Sequence, residues 1–156
     1  LSMDVPIYLL DEPTAGVDLS MIQRFHDMIL DRADEGATFV VSSHNPMDAD
    51  LADRIAFMPD GSITAVGTPT ELLADVPQVV RITGTDAFGI ARDHVVGGHL
   101  FPVGGEARGF LEGDDSLAAL RSAIAESDHE NVGVEPIETT YTDAFNYYVH
   151  VRGDCA

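Results

Sequence analysis

Apolar residues run without interruption from Ile7 to Leu10 and stop at two adjacent acids, Asp11 and Glu12. So short and dense a run predicts a buried strand over 5–10, with both carboxylates where the strand leaves the core. The period then changes. Met21, Ile22, Phe25, Met28 and Ile29 recur every three or four positions, which predicts a helix capped by Asp18 and closed near Gly36. Thr38-Phe39-Val40-Val41 reads as a second short buried strand, ended by Ser42-Ser43-His44, and Asn45-Pro46 opens a short helix through Leu51. Residues 54–58 and 62–66 suit a hairpin turned by Pro59-Asp60-Gly61, and Thr68-Pro69 starts a helix carrying Leu72 and Leu73. Alternating strands and helices in this order indicate a mostly parallel sheet, of which only the later half is present.

Asp75-Val76-Pro77-Gln78 reads as a linker, so the expected division is a first domain over 1–74 and a second over 79–156. In the second, the pattern predicts a strand at 79–83, a helix at 86–93, and a strand pair near 98–102 and 108–112. A helix at 115–126 with Leu117, Leu120 and Ile124 on one face and a strand at 132–137 follow. The order βαββαβ suits a small α+β appendage of the ferredoxin-like kind. A last amphipathic piece covers 142–149. The fold class expected is therefore α/β, half of a mostly parallel sheet, followed by this appendage.

Charge narrows the picture. Among 156 residues there are 27 acids, eight arginines and no lysine, for a formal charge of −19. The acids are not gathered in a tail: 14 face three arginines in residues 1–78, and 13 face five in the remainder. Self-repulsion of this size is tolerated in concentrated salt, and a high-salt cytoplasm is the setting it implies. It also argues against nucleic acid and anionic lipid as direct partners. No apolar stretch approaches the ~20 residues of a membrane span and no signal peptide opens the chain, so a soluble protein without direct membrane insertion is expected. The single Cys155 cannot form an internal disulfide. His94, His99, His129 and His150 show no ligand spacing and read as solvated side chains.

Asp11-Glu12-Pro13-Thr14 followed by Ala15-Gly16-Val17-Asp18, with Ser43-His44 after the next strand, resembles the Walker B motif, D-loop and H-loop of ABC-family ATPases. The likeness continues through Ala52-Asp53-Arg54-Ile55, Asp60-Gly61-Ser62-Ile63 and Gly67-Thr68-Pro69, covering 5–74, and is closest in kind to the ATP-binding subunits of transporters. It implies a P-loop NTPase fold that binds ATP and Mg²⁺. By that resemblance Asp11 holds Mg²⁺, Glu12 acts on the attacking water as general base, and His44 contacts the γ-phosphate. Asp18 caps its helix on sequence grounds; by resemblance it also makes a D-loop contact across a dimer.

The phosphate loop, Gly-x-x-x-x-Gly-Lys-Ser/Thr, requires a lysine that these residues lack, and the Q-loop and signature are absent as well. The resemblance thus implies the C-terminal portion of an ATP-hydrolysing subunit. That subunit would pair with a second ATP-binding subunit and power a membrane permease, staying in the cytoplasm at the membrane through that permease. The portion given is expected to be inactive by itself. The rival reading is a non-enzymatic interaction module, a degenerate or split ABC half that binds a partner subunit without turnover.

Overall fold

The computed structural model describes residues 5–127 and 132–152; Cys155 and His129 lie outside them. The chain divides into two compact units, 1–53 and 54–156.

In the first unit, β1 (Ile7–Asp11) and β2 (Thr38–Ser42) pair in parallel, in register from Ile7 opposite Thr38 to Asp11 opposite Ser42. The connection is α1 (Leu19–Asp34), a crossover helix of the kind parallel strands require. Asp18 caps it as expected, accepting from the Met21 N–H at 3.1 Å. Ile22 and Ile29 of α1 and Tyr8 of β1 are buried, and Tyr8 stacks on Phe39 with ring centroids 4.7 Å apart. The other face of the pair is open: Ile7 is 59% and Leu9 75% exposed, with Val40 also exposed. The expectation of a fully buried strand therefore holds on one face only. Parallel strands carry apolar residues on both faces because both are normally covered, and here α1 covers one. Residues Pro46–Leu51 wind as a 3₁₀ rather than an α-helix, capped by Asn45, whose side chain accepts from the Met47 N–H at 3.1 Å.

The second unit opens with the antiparallel hairpin of β3 (Ile55–Phe57) and β4 (Ala65–Gly67), turned through Asp60 at φ 49°. The second strand starts later than its β-rich sequence suggested. Next comes α2 (Pro69–Ala74), where Thr68 and Glu71 form a reciprocal capping box. Then follow β5 (Gln78–Thr83), α3 (Phe88–Arg92), β6 (Phe101–Val103), β7 (Glu106–Leu111), α4 (Ser116–Ala125), β8 (Gly133–Pro136) and α5 (Tyr141–Asn146). A π turn over Tyr147–Val151 continues α5. The four strands β6-β7-β5-β8 form one antiparallel sheet in that order. The strand expected at 98–102 begins at Phe101 because Gly97 and Gly98, at φ 61° and 72°, turn the chain first. One apolar cluster gathers Val80, Ile82, Ala91, Leu111, Leu120 and Ile124. A second joins Leu72, Val76, Val79, Phe110, Tyr148 and Val151. Leu72 and Val76 thus belong to the same core as β5, and the boundary between units falls before Arg54, earlier than the 75–78 linker read from composition.

Tyr148 fastens this second cluster. Its hydroxyl donates to Leu72 O at 3.0 Å and to Asp75 Oδ2 at 3.2 Å. Burial, and then the Asp75 carboxylate, push that hydroxyl up from 10.0 to about 12. A raised value means the fold holds the proton more tightly than the unfolded chain does. The stabilisation is complete below pH 10 and is lost as pH rises through about 12. Urea midpoints measured across that window should fall steeply. Tyr148→Phe should flatten the fall, at a cost of about 1 kcal/mol near neutrality from the lost hydrogen bond. An unchanged pH slope in the phenylalanine variant would assign the alkaline loss to another group.

Candidate functional site

The two acids stand where β1 ends because the apolar run that builds the strand ends there. Ser42, the last residue of β2 and the register partner of Asp11, donates its hydroxyl to Asp11 Oδ1. The Glu12 N–H in turn donates to Ser42 O at 3.0 Å and to Ser42 Oγ at 3.1 Å. The backbone at Glu12 has φ 42°, the left-handed region that favours glycine. A side chain held there costs about 1–3 kcal/mol, and such positions gather at functional sites. The turn closes with the Ala15 N–H on Glu12 O at 3.1 Å.

His44, two residues past β2, sets Nδ1 3.3 Å from Glu12 Oε1. The parallel register therefore brings Asp11, Glu12 and His44 to one end of the strand pair. The imidazole is 70% and the carboxylate 53% exposed, so this contact by itself contributes no more than about 0–1 kcal/mol. Asp18 is not part of the group. Its hydrogen bonds go to Ser20 Oγ at 2.6 Å and the Met21 N–H, the first turn of α1, and those to Ser20 and then Met21 hold its carboxyl below the usual range.

Sequence reasoning passed over Asp48. On the 3₁₀ turn after His44, its side chain is 8% exposed and accepts three hydrogen bonds. Thr14 Oγ1 reaches Oδ2 at 2.9 Å, Ser43 Oγ reaches the same oxygen, and His26 Nε2 reaches Oδ1 at 2.7 Å. Burial pushes this carboxyl up, but the hydrogen bonds from Ser43, His26 and Thr14 outweigh it, leaving it below the ordinary range. The one signal in the sequence was His26 itself. It sits four residues after Ile22 and three before Ile29, a polar residue on the stripe that α1 buries.

Asp11 and the Ser42 hydroxyl suit a hard cation such as Mg²⁺, which takes few carboxylates and keeps several waters or phosphate oxygens. Among the described residues, no group of three or more His, Cys, Asp or Glu side chains could hold a metal unaided. In the second unit His99 and His150 lie against Phe101, at centroid distances of 6.3 and 6.1 Å, as parts of an aromatic cluster.

About half of the chain is similar to ATP-binding proteins of known transporters. It is 41% identical over 70 residues to a fluoroquinolones export ATP-binding protein of Mycobacterium tuberculosis, covering 44% of this chain and 23% of that protein. It is 36% identical over 83 residues to the energy-coupling factor transporter ATP-binding protein of Methanocaldococcus jannaschii, 51% and 29% of the two chains. The hemin import ATP-binding protein of Nocardia farcinica is 40% identical over 74 residues, 47% and 26%. The chain thus spans about a quarter of the length of the curated relatives it matches. No protein-family model matches it. The crystal structure of UvrA2 from Deinococcus radiodurans aligns over 84% of this chain and 20% of its own at 15% identity, with a TM-score of 0.39 that carries neither fold nor function.

Proposed function

We propose that the chain is part of an ABC-type ATPase of the transporter kind, and that it supplies the water-activating end of an ATP-hydrolysing subunit that drives a membrane permease; the similarity of about half of it to transporter ATP-binding proteins supports this. The observation that supports this is the convergence of Asp11, Glu12 and His44 at one end of β1 and β2, with Glu12 Oε1 3.3 Å from His44 Nδ1. Asp11, beside Ser42, would hold Mg²⁺, whose charge neutralises the nucleotide phosphates when it is bound. Glu12 orients the attacking water and accepts its proton. His44 donates from its ring to the γ-phosphate. Asp18, at the head of α1, caps that helix and contacts a second ATP-binding subunit. The elements from β5 to β8, a ferredoxin-like arrangement by their βαββαβ order and the strand order β6-β7-β5-β8, serve as a regulatory or dimer-contact module. The subunit works in the cytoplasm, at the membrane through its permease. No helix among the described residues is long and apolar enough to cross the membrane.

These 156 residues contain no lysine, and so no phosphate loop of the usual form. Calorimetry of the chain in molar KCl should accordingly find no micromolar affinity for Mg-ATP. Tight binding would mean that the phosphates are gripped by residues other than those named here. The hydrolytic role is tested by grafting the chain in place of the matching segment of a transporter ATP-binding protein. The graft should hydrolyse ATP in a manner that depends on Glu12.

A further inference from the structure

We infer that Asp48 is the positioning residue of this site, gathering Thr14, Ser43 and His26 so that Glu12 and His44 are held in contact; the inference rests on reading those two as the catalytic pair. Glu12 and His44 cannot hold each other. Both side chains are more than half exposed, and exposed ion pairs are weak and screened by salt. Something else must fix the two loops that carry them, and Asp48 touches both. Thr14 lies two residues after Glu12 in the turn closed by the Ala15 N–H, and Ser43 immediately precedes His44. One carboxylate oxygen accepts from both hydroxyls, and so ties chain segments about thirty residues apart to a single atom.

The clamp is itself held. Ser43 Oγ also accepts the Asn45 N–H at 3.0 Å, and Asn45 caps the 3₁₀ turn on which Asp48 rides, so the chain folds closely around His44. The second carboxylate oxygen takes His26 Nε2 at 2.7 Å, with both side chains shielded from solvent at 14% and 8% exposure. Charged hydrogen bonds in that setting are shorter and stronger than the exposed contact they support. An ionised carboxylate can only accept, so Nε2 of His26 must carry a proton. An asparagine at position 48 could still accept from both hydroxyls through its oxygen. It would present its amide hydrogens to His26, which would then accept at Nε2 and carry its proton on Nδ1.

NMR of the whole chain, labelled at histidine and glutamate, in molar KCl and without nucleotide, tests this. The unsubstituted chain should show a His26 ring protonated at Nε2 and nuclear Overhauser contacts between the His44 ring and the Glu12 side chain. Asp48→Ala should abolish the Glu12–His44 contacts while those between Tyr8 and Phe39, across β1 and β2, persist. Asp48→Asn should keep the Glu12–His44 contacts and move the His26 proton to Nδ1, a change that mere support of the fold would not produce. Persistence of the Glu12–His44 contacts in Asp48→Ala, or a His26 protonated only at Nδ1 in the unsubstituted chain, would overturn the inference. Should Asp48→Ala also lose the Tyr8–Phe39 contacts, Thr14→Val and Ser43→Ala decide: each removes one arm, and loss of the Glu12–His44 contacts supports the clamp while retention overturns it. The readout needs no ATP. Hydrolysis indifferent to Glu12 would defeat the functional reading alone, and an unclamped His44 would defeat this inference alone.

Discussion

Replacing Glu12 with glutamine is expected to lower kcat for ATP hydrolysis about 10²–10⁴-fold in a grafted subunit carrying this chain. The KM for ATP should change little, because the loss falls on a group that acts in the transition state. Glutamine keeps the length and shape of the side chain and removes its capacity to accept a proton. The backbone should be indifferent to the change, since the N–H of residue 12 donates to Ser42 O and Oγ whatever the side chain is. Glycine at the same position separates chemistry from folding. Activity should fall as far, but the unfolding midpoint should hold or rise. Relief of a left-handed φ of 42° returns about 1–3 kcal/mol, against about 0.5–1 kcal/mol for the added freedom of the unfolded chain. Urea denaturation of the chain reads the second effect directly. A graft that binds ATP and hydrolyses it equally well with glutamine at position 12 would remove Glu12 from the chemistry. A glycine variant that unfolds earlier than the parent would show that the side chain, and not the conformation, matters there.

The largest loss of stability should come from Asp143→Ala in the second unit, on the order of 3–5 kcal/mol. Asp143 is 1% exposed and completes the first turn of α5. Its carboxylate accepts from Arg108 Nη1 at 2.8 and 3.0 Å, from the Thr140 N–H at 2.9 Å and from the Thr140 hydroxyl at 2.6 Å. Alanine would leave the guanidinium on β7 without its counter-charge and would open the capping box, which alone contributes about 1 kcal/mol. For a unit of about a hundred residues, a loss of this size lowers the melting temperature by roughly 15–30 °C. Removing both charges together, as Arg108→Met with Asp143→Leu, should recover most of the loss, since no charge is then stranded. Thermal melts followed by circular dichroism make the comparison. A drop of less than about 1 kcal/mol for Asp143→Ala would mean that water reaches Arg108 and replaces the carboxylate.

Features that depend on neighbours a few residues away are readable from the order of residue types. Asp18 caps α1 and Thr68 pairs with Glu71 because each bond spans three residues, and such pairs can be read from the residue types alone. The carboxylates at the end of β1 were legible for a similar reason: an apolar run that stops at two acids marks the end of a strand. The order of strands and helices in the second unit followed from the period of its apolar positions, with β6 displaced only where Gly97 and Gly98 turn the chain. The remaining features depend on contacts between distant parts of the chain. Asp48 draws partners from five, 22 and 34 residues away, and nothing in the stretch around it announces them. Leu9 and Leu72 have equally apolar side chains, yet Leu9 is left open while Leu72 joins the core around Tyr148. Burial depends on what packs above a residue. Where the covering elements lie far along the chain, the local pattern states an apolar residue's need for cover and leaves its fulfilment to the fold.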